Sequence, residues 1–263
     1  MTSIDERDVH RTAAEYGIPQ GVAEELLRGL RPCIYLVPDW RLPNKEGARP
    51  AAWGGGLPSL PQGVEWPAGR ESVLQEPLVL TVDCAALPRD VLDIQLPPDG
   101  RLLFFTHLSY PPDSSAVLHV PAGVETTERP ATYELGGETM EIAVHEPSTF
   151  YPVAGLTAAD GGKGDTETDA FLDSDEGNDE LLKRFEDAVL TSVHGGVSCS
   201  GFLQIGGYSN SWQGAPDEGD LVLFAQIQGD AIVRGNPFQN LIVGTREDIA
   251  ARRYENLEYD QQC

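Results

Sequence analysis

The stretch His194-Gly195-Gly196, followed by Ser198, Cys199 and Ser200, holds the residue types of acyl-transfer chemistry. A His-Gly-Gly turn can offer backbone N–H groups to an oxyanion, and a hydroxyl or thiol nearby would serve as nucleophile. The spacing fails. A nucleophile elbow needs G-x-S-x-G, whereas Gly196-Val197-Ser198-Cys199 ends in Ser200. A flexible turn is the plainer reading. Gly54-Gly55-Gly56 and Gly161-Gly162-Lys163-Gly164 also fall short of phosphate loops, because neither completes G-x4-G-K-[ST]. His119 and His145 each alternate with apolar residues in a strand-like run and would bind a metal only if paired on adjacent strands. The alternation in Asp165-Thr166-Glu167-Thr168-Asp169 and Asp173-Ser174-Asp175-Glu176-Gly177 does not place the glycine that a calcium loop requires. The reading therefore assigns no catalytic residue, no metal and no cofactor.

Binding is better supplied. Trp53, Trp66 and Trp212 stand beside Gly- and Pro-rich turns, where they either staple those turns to the core or line a ligand cleft. The candidate cleft, expected between the two halves of the chain, comprises Trp53, Gly55, Gly56, Trp66, His107, Gly206, Gly207, Tyr208, Trp212 and Gln226. His107 belongs because it ends an apolar strand, a place where ligand-facing residues sit. A second candidate surface is acidic: Asp173, Asp175, Asp179 and Glu180 in the segment 158–180, which has a single lysine and reads as a solvated, mobile loop.

The elements that must position these residues follow from pattern. Residues 3–30 read as two helices. Ser3 and Glu6 match a capping box, Gly17 stops the first helix and Pro19 opens the second. Strands are predicted at 33–37, 77–84, 101–107, 116–120, 140–146, 220–230 and 240–244, with 116–120 and 140–146 as antiparallel neighbours, and 201–214 reads as a strand entering a glycine turn. A helix is predicted over 181–190. Another starts after Thr245, with Asp248 at the capping-box position, and runs through Asn256-Leu257 into an aromatic–polar tail. Residues 43–70 are too rich in Gly and Pro for regular helix or central strand and read as a loop pinned by its aromatics. Double-glycine turns followed by strands occur in both halves, a sign of internal duplication.

Charge narrows the function. The 263 residues carry 18 basic and 42 acidic side chains, a formal net charge of −24. Such a surface repels nucleic-acid phosphates and anionic lipids, and suits a basic protein partner. Hydrophobic residues at 40 % are ample for a sizeable core. The N-terminal 30 residues lack a signal-peptide apolar block, and no stretch approaches a membrane span, so a cytoplasmic location is expected. Cys33, Cys84, Cys199 and Cys263 form no CxxC pair and read as free thiols.

The string WGGGLPSLPQGVEWP at 53–67 resembles the GG-x-P-x-LP…WP signature of the YwqG-like domain, a bacterial family of unknown function. LQIGGYSNSWQ at 203–213, DLVLFAQIQGD at 220–230 and the closing TREDIAARRYENLEYDQQC at 245–263 are similar to later parts of that family. In two places the chain departs from it: Thr81 stands where a glutamine is expected, and Ser209 where a proline is expected. The resemblance implies an α+β fold of mostly antiparallel sheet in two related halves, with short peripheral helices. It brings no activity to carry over. The expected organisation is a helical segment at 1–32 and one domain at 33–263, its halves roughly 33–150 and 181–263. The function expected is a noncatalytic protein-binding module, with an immunity-like role as one form of it. The alternative is a small-ligand binder or enzyme using the Gly/Trp cleft.

Overall fold

The β1 strand, Arg31–Pro38, lies near the middle of the chain's largest sheet, although it is the first strand in sequence. The computed structural model describes residues 4–42, 46–68, 74–109, 115–159, 166–194, 196 and 203–263. Short strands β2 (Ala52–Gly54) and β3 (Ser59–Pro61) follow, then β4 (Leu78–Asp83), β5 (Arg101–Thr106) and β6 (Ser115–Val120). Next come β7 (Thr126–Glu128), β8 (Thr132–Leu135), β9 (Glu138–Glu141) and β10 (Ser148–Thr157). The chain closes with β11 (Leu203–Gly206), β12 (Leu221–Gln228), β13 (Gln239–Thr245) and β14 (Glu258–Gln262). Ten of these form one antiparallel sheet in the order β14-β13-β12-β11-β1-β10-β2-β4-β5-β6. The fold is α+β.

The sheet order is the same read from either edge toward the β1–β10 pair. From one edge β6, β5, β4 and β2 lead in to β10; from the other β14, β13, β12 and β11 lead in to β1. A sheet this wide curls. Phe104 on β5 and Phe224 on β12 have five strands between them in the sheet order, yet their rings are 5.9 Å apart. The curl encloses the main core, which includes Ile34, Leu36, Leu80, Phe150, Ile205 and Ile242. Each half's connecting segment closes the other half. Leu92 and Ile94, between β4 and β5, pack over Gly206; Ile232, between β12 and β13, packs over Gly54. Arg246 reaches the Asp93 carboxylate at 2.5 Å, and Asn236 donates to the Leu108 carbonyl at 2.7 Å.

The long strand β10 escapes sequence reading because Pro152 and Gly155 break its apolar run. It tolerates the proline because β2 pairs only with residues 148–150, so no ladder bond on that side needs the missing N–H. The segment around 140–146 is not a neighbour of β6. β9 pairs with β8 in a separate hairpin, and His145 falls in the irregular stretch before β10. His119 instead meets the Asp99 carbonyl through Nε2 at 2.9 Å. The predicted C-terminal helix is shorter than expected. α6 (Arg246–Ala251) begins at a Thr245 cap that accepts from Asp248 N–H, and it ends at Arg252 with φ 60°. The expected tail is the edge strand β14.

The helices form a second apolar cluster. α1 (Glu6–Tyr16) is capped by Asp5 rather than Ser3, which lies outside the described residues, and it stops at Gly17 with φ 73°. α2 (Gln20–Gly29) follows Pro19. The described part of the acidic segment expected as a loop is mostly helical: α3 (Glu167–Ser174) and the start of α4 (Asn178–Val193). Thr166 and Asp169 form a capping box, and Glu25 of α2 accepts from the Glu167 and Thr168 N–H groups at 3.0 Å. Phe171 and Leu172 pack with Val22, Leu26, Leu182 and Phe185, burial that a solvated loop would forgo. α5 (Gly229–Ile232) is a single turn after β12. Among the described residues no helix is long and apolar enough to cross a membrane.

Candidate functional site

The ten cleft candidates fall at two places, one on each half of the sheet. At the first, Gly55 (φ 66°) and Gly56 (φ 77°) turn the chain at the end of β2, donating to the Val79 and His145 carbonyls at 3.0 Å. Trp53 sits half-buried on β2. Trp66 is buried: its Nε1 donates to the Glu76 carbonyl at 2.5 Å, and its ring meets Phe105 edge-on at 6.2 Å. It staples its loop to the core. His107, just beyond β5, places Nε2 3.4 Å from the carboxylate of Glu76, a residue only 1 % exposed. Burial first, and the neighbouring His107 second, depress the pKa of His145. A carboxylate-backed imidazole is one component of acid–base devices. Glu76 has no signal in the sequence beyond a lone acid before a strand.

At the second place, Gly206 (φ 69°) and Gly207 (φ 80°) make the corresponding turn at the end of β11. The loop beyond them is held by glutamines from four consecutive strands. Gln204 of β11 donates to the Gly206 and Tyr208 carbonyls at 2.8 Å. Gln226 of β12 accepts from Asn210 N–H at 2.9 Å, while Gln239 of β13 donates to the Asn210 carbonyl at 2.7 Å. Gln262 of β14 accepts from Trp212 N–H at 2.6 Å and donates to the Gly214 carbonyl at 2.9 Å. All four side chains are buried. The Gln226 carboxamide therefore serves the loop backbone, and Trp212 stands nearly half exposed. In the first half, where Thr81 replaces the expected glutamine, Arg129 holds the covering segment by donating to the Pro61 and Val64 carbonyls at 2.9 and 3.1 Å. Gln226→Leu leaves the Asn210 N–H without its acceptor and is expected to destabilise the fold by about 1–3 kcal/mol. Urea unfolding gives that figure, and hydrogen exchange at Asn210 should accelerate ahead of global unfolding.

Tyr208 leads to a cavity of about 670 Å³ between α2, α3, α4 and the loop 208–219. Four carboxylates line it, Glu25, Glu186, Asp217 and Glu218, against the guanidinium of Arg28. Val22, Leu26 and Leu182 supply apolar wall. The hydroxyl of Thr168, donating at 2.6 Å, and two backbone N–H groups stabilise Glu25 as the anion and lower its pKa. Asp217 accepts from Ser209 through both N–H and hydroxyl. Arg31 stacks 4.1 Å above the Tyr208 ring. The acidic-face candidates Asp173, Asp175, Asp179 and Glu180 are all exposed at the α3–α4 junction. Asp175 accepts from Gly177 N–H at 2.8 Å, and Asp179 pairs with Lys183 at 2.7 Å. Asp179, Leu182 and Glu186 follow one stripe of α4, so the exposed face runs into the cavity wall.

The His194 cluster is structural as far as it is described. His194 caps α4, packs against Gly155, meets Tyr35 edge-on at 5.1 Å and lies 3.3 Å from the Leu156 backbone. Gly195, Ser198, Cys199 and Ser200 fall outside the described residues. Cys33 and Cys84 are buried, and burial pushes the Cys84 thiol up to about 11; Cys263 is exposed. Among the described residues no group of three His, Cys, Asp or Glu side chains is placed to hold a metal.

The model of a family described as a domain of unknown function, DUF1963, matches residues 54–263. No curated protein matches the chain.

Proposed function

This chain belongs to the DUF1963 family of unknown function, and from that premise we propose that it is a noncatalytic module that binds a basic protein through the acidic α3–α4 face. The observation that carries the reading is the exposed group Asp173, Asp175, Asp179 and Glu180 at the α3–α4 junction, two turns of α4 from Glu186 in the acid-lined cavity, with Lys183 and Arg184 as the cations between them. A net charge of −24 adds long-range attraction for a cationic partner. The narrower YwqG-like assignment, with its bacterial source and immunity-like role, is part of the same proposal and rests on the 53–67 block. So is a cytoplasmic location. Internal duplication within 33–263 is supported by the matching sheet order from both edges and by paired left-handed glycines at Gly55-Gly56 and Gly206-Gly207.

The test is capture on immobilised protein at low salt, followed by a salt step. A single basic protein should elute, and the variant Asp173→Asn, Asp175→Asn, Asp179→Asn, Glu180→Gln should retain about tenfold less of it. Equal retention by the variant, or none by either, refutes the reading. One observation favours a second reading, a small-ligand binder or enzyme: the buried Glu76 carboxylate beside His107, on the half that carries Trp53 and Gly55-Gly56.

A further inference from the structure

We infer that the cavity between α2, α3, α4 and the loop 208–219 is a guanidinium site, which receives an arginine side chain and the short segment bearing it. The inference deepens the basic-partner reading and rests on it for the source of the arginine. The cavity, at about 670 Å³, falls within the ordinary range of ligand sites, ~300–1,000 Å³, and exceeds what a single ion needs. Its walls are of two kinds. Val22, Leu26 and Leu182 offer apolar surface to an aliphatic stem, while Glu25, Glu186, Asp217 and Glu218 offer negative charge to its head.

The chemistry selects within the cations. A compact ammonium is strongly hydrated and loses much on entering a half-apolar cavity. A guanidinium is planar, more weakly hydrated and able to address two oxygens at once. Part of the wall is oriented before anything binds. Thr168 and the α3 N-terminus orient Glu25, and Ser209 orients Asp217, so two of the four charges need no reordering. The lining also includes Arg28, and Glu186 and Glu218 already have partners, so an entering guanidinium shares or displaces those contacts.

The probes are Nα-acetyl-arginine amide, its lysine counterpart and its citrulline counterpart, the last having nearly the same shape without the charge. Each is titrated into the full chain by calorimetry, with Val22, Leu26 and Leu182 methyl resonances as the site marker. The arginine compound should saturate, with lysine several-fold weaker and citrulline about tenfold weaker or more. Glu186→Gln with Glu218→Gln should weaken arginine binding about tenfold and leave citrulline unchanged. Thermal unfolding checks that this variant is folded, and Ala215→Phe, which fills the cavity without altering charge, must also abolish binding. Equal binding of arginine and citrulline, saturation without movement of the methyl markers, or no saturation overturns the site. If the arginine compound fails while the four-residue neutralisation still releases a basic protein, the cavity inference falls and the acidic-face reading stands. The converse result removes the partner and keeps the site.

Discussion

Gly207→Ala should destabilise the protein by about 3–4 kcal/mol, a large share of the ~5–15 kcal/mol that holds a typical domain folded. Two effects combine. Gly207 has φ 80°, a conformation that costs an alanine roughly 1 kcal/mol. Its missing Cβ would also stand 2.5 Å from Thr157 Oγ1 and 2.9 Å from Cys33 Cβ. Neither neighbour moves freely, because Cys33 and Thr157 lie on the paired central strands and Thr157 Oγ1 accepts from Tyr208 N–H. Gly55 is the crowded glycine of the first-half turn, with the His145 carbonyl oxygen 2.6 Å from its missing Cβ. Gly123 is the control, with φ 78° and nothing within 4 Å. Urea midpoints of the three alanine variants separate strain from collision. If Gly207→Ala and Gly123→Ala unfold alike, the collision has no weight.

Phe224→Ala should cost about 3–5 kcal/mol. The ring is fully buried, stacked on Tyr254 at 5.5 Å and tilted against Phe104 at 5.9 Å. Truncation leaves a void between the two halves of the curled sheet, not within one of them. Hydrogen exchange should therefore accelerate on β5 and β12 together, although they are distant in sheet order. Phe185→Ala, equally buried in the helical cluster, should be of similar magnitude but should loosen α1, α2 and α4 first. If the two variants give the same exchange pattern, the division into two cores is wrong.

The strands with plain aliphatic runs, such as β5 and β12, were legible because β propensity and burial agree there. β10 was not, since the tolerance of Pro152 depends on how short its neighbour β2 is, a property of the sheet alone. The acidic residues of α3 and α4 masked the capping box at Thr166 and the apolar pair Phe171-Leu172. The site was legible in residue type more than in grouping. The Gly and Trp candidates, expected to line a cleft between the halves, stand on two turns, one in each half. Gln226 stood out as a ligand group, but its partner is a backbone amide 16 positions away, a tether that no local pattern announces. Glu76 became visible only when the end of β5 brought His107 beside it.

The placement of β1 has a consequence for biosynthesis. Its two neighbours are β10 and β11, and the Arg31 carbonyl meets its Thr157 partner across 126 positions. At a ribosomal rate of ~5–20 residues per second, the apolar run Cys33–Val37 waits on the order of ten seconds for its first partner strand. Its second, β11, is delivered later still. Nascent chains should accordingly depend on chaperone shielding of that run.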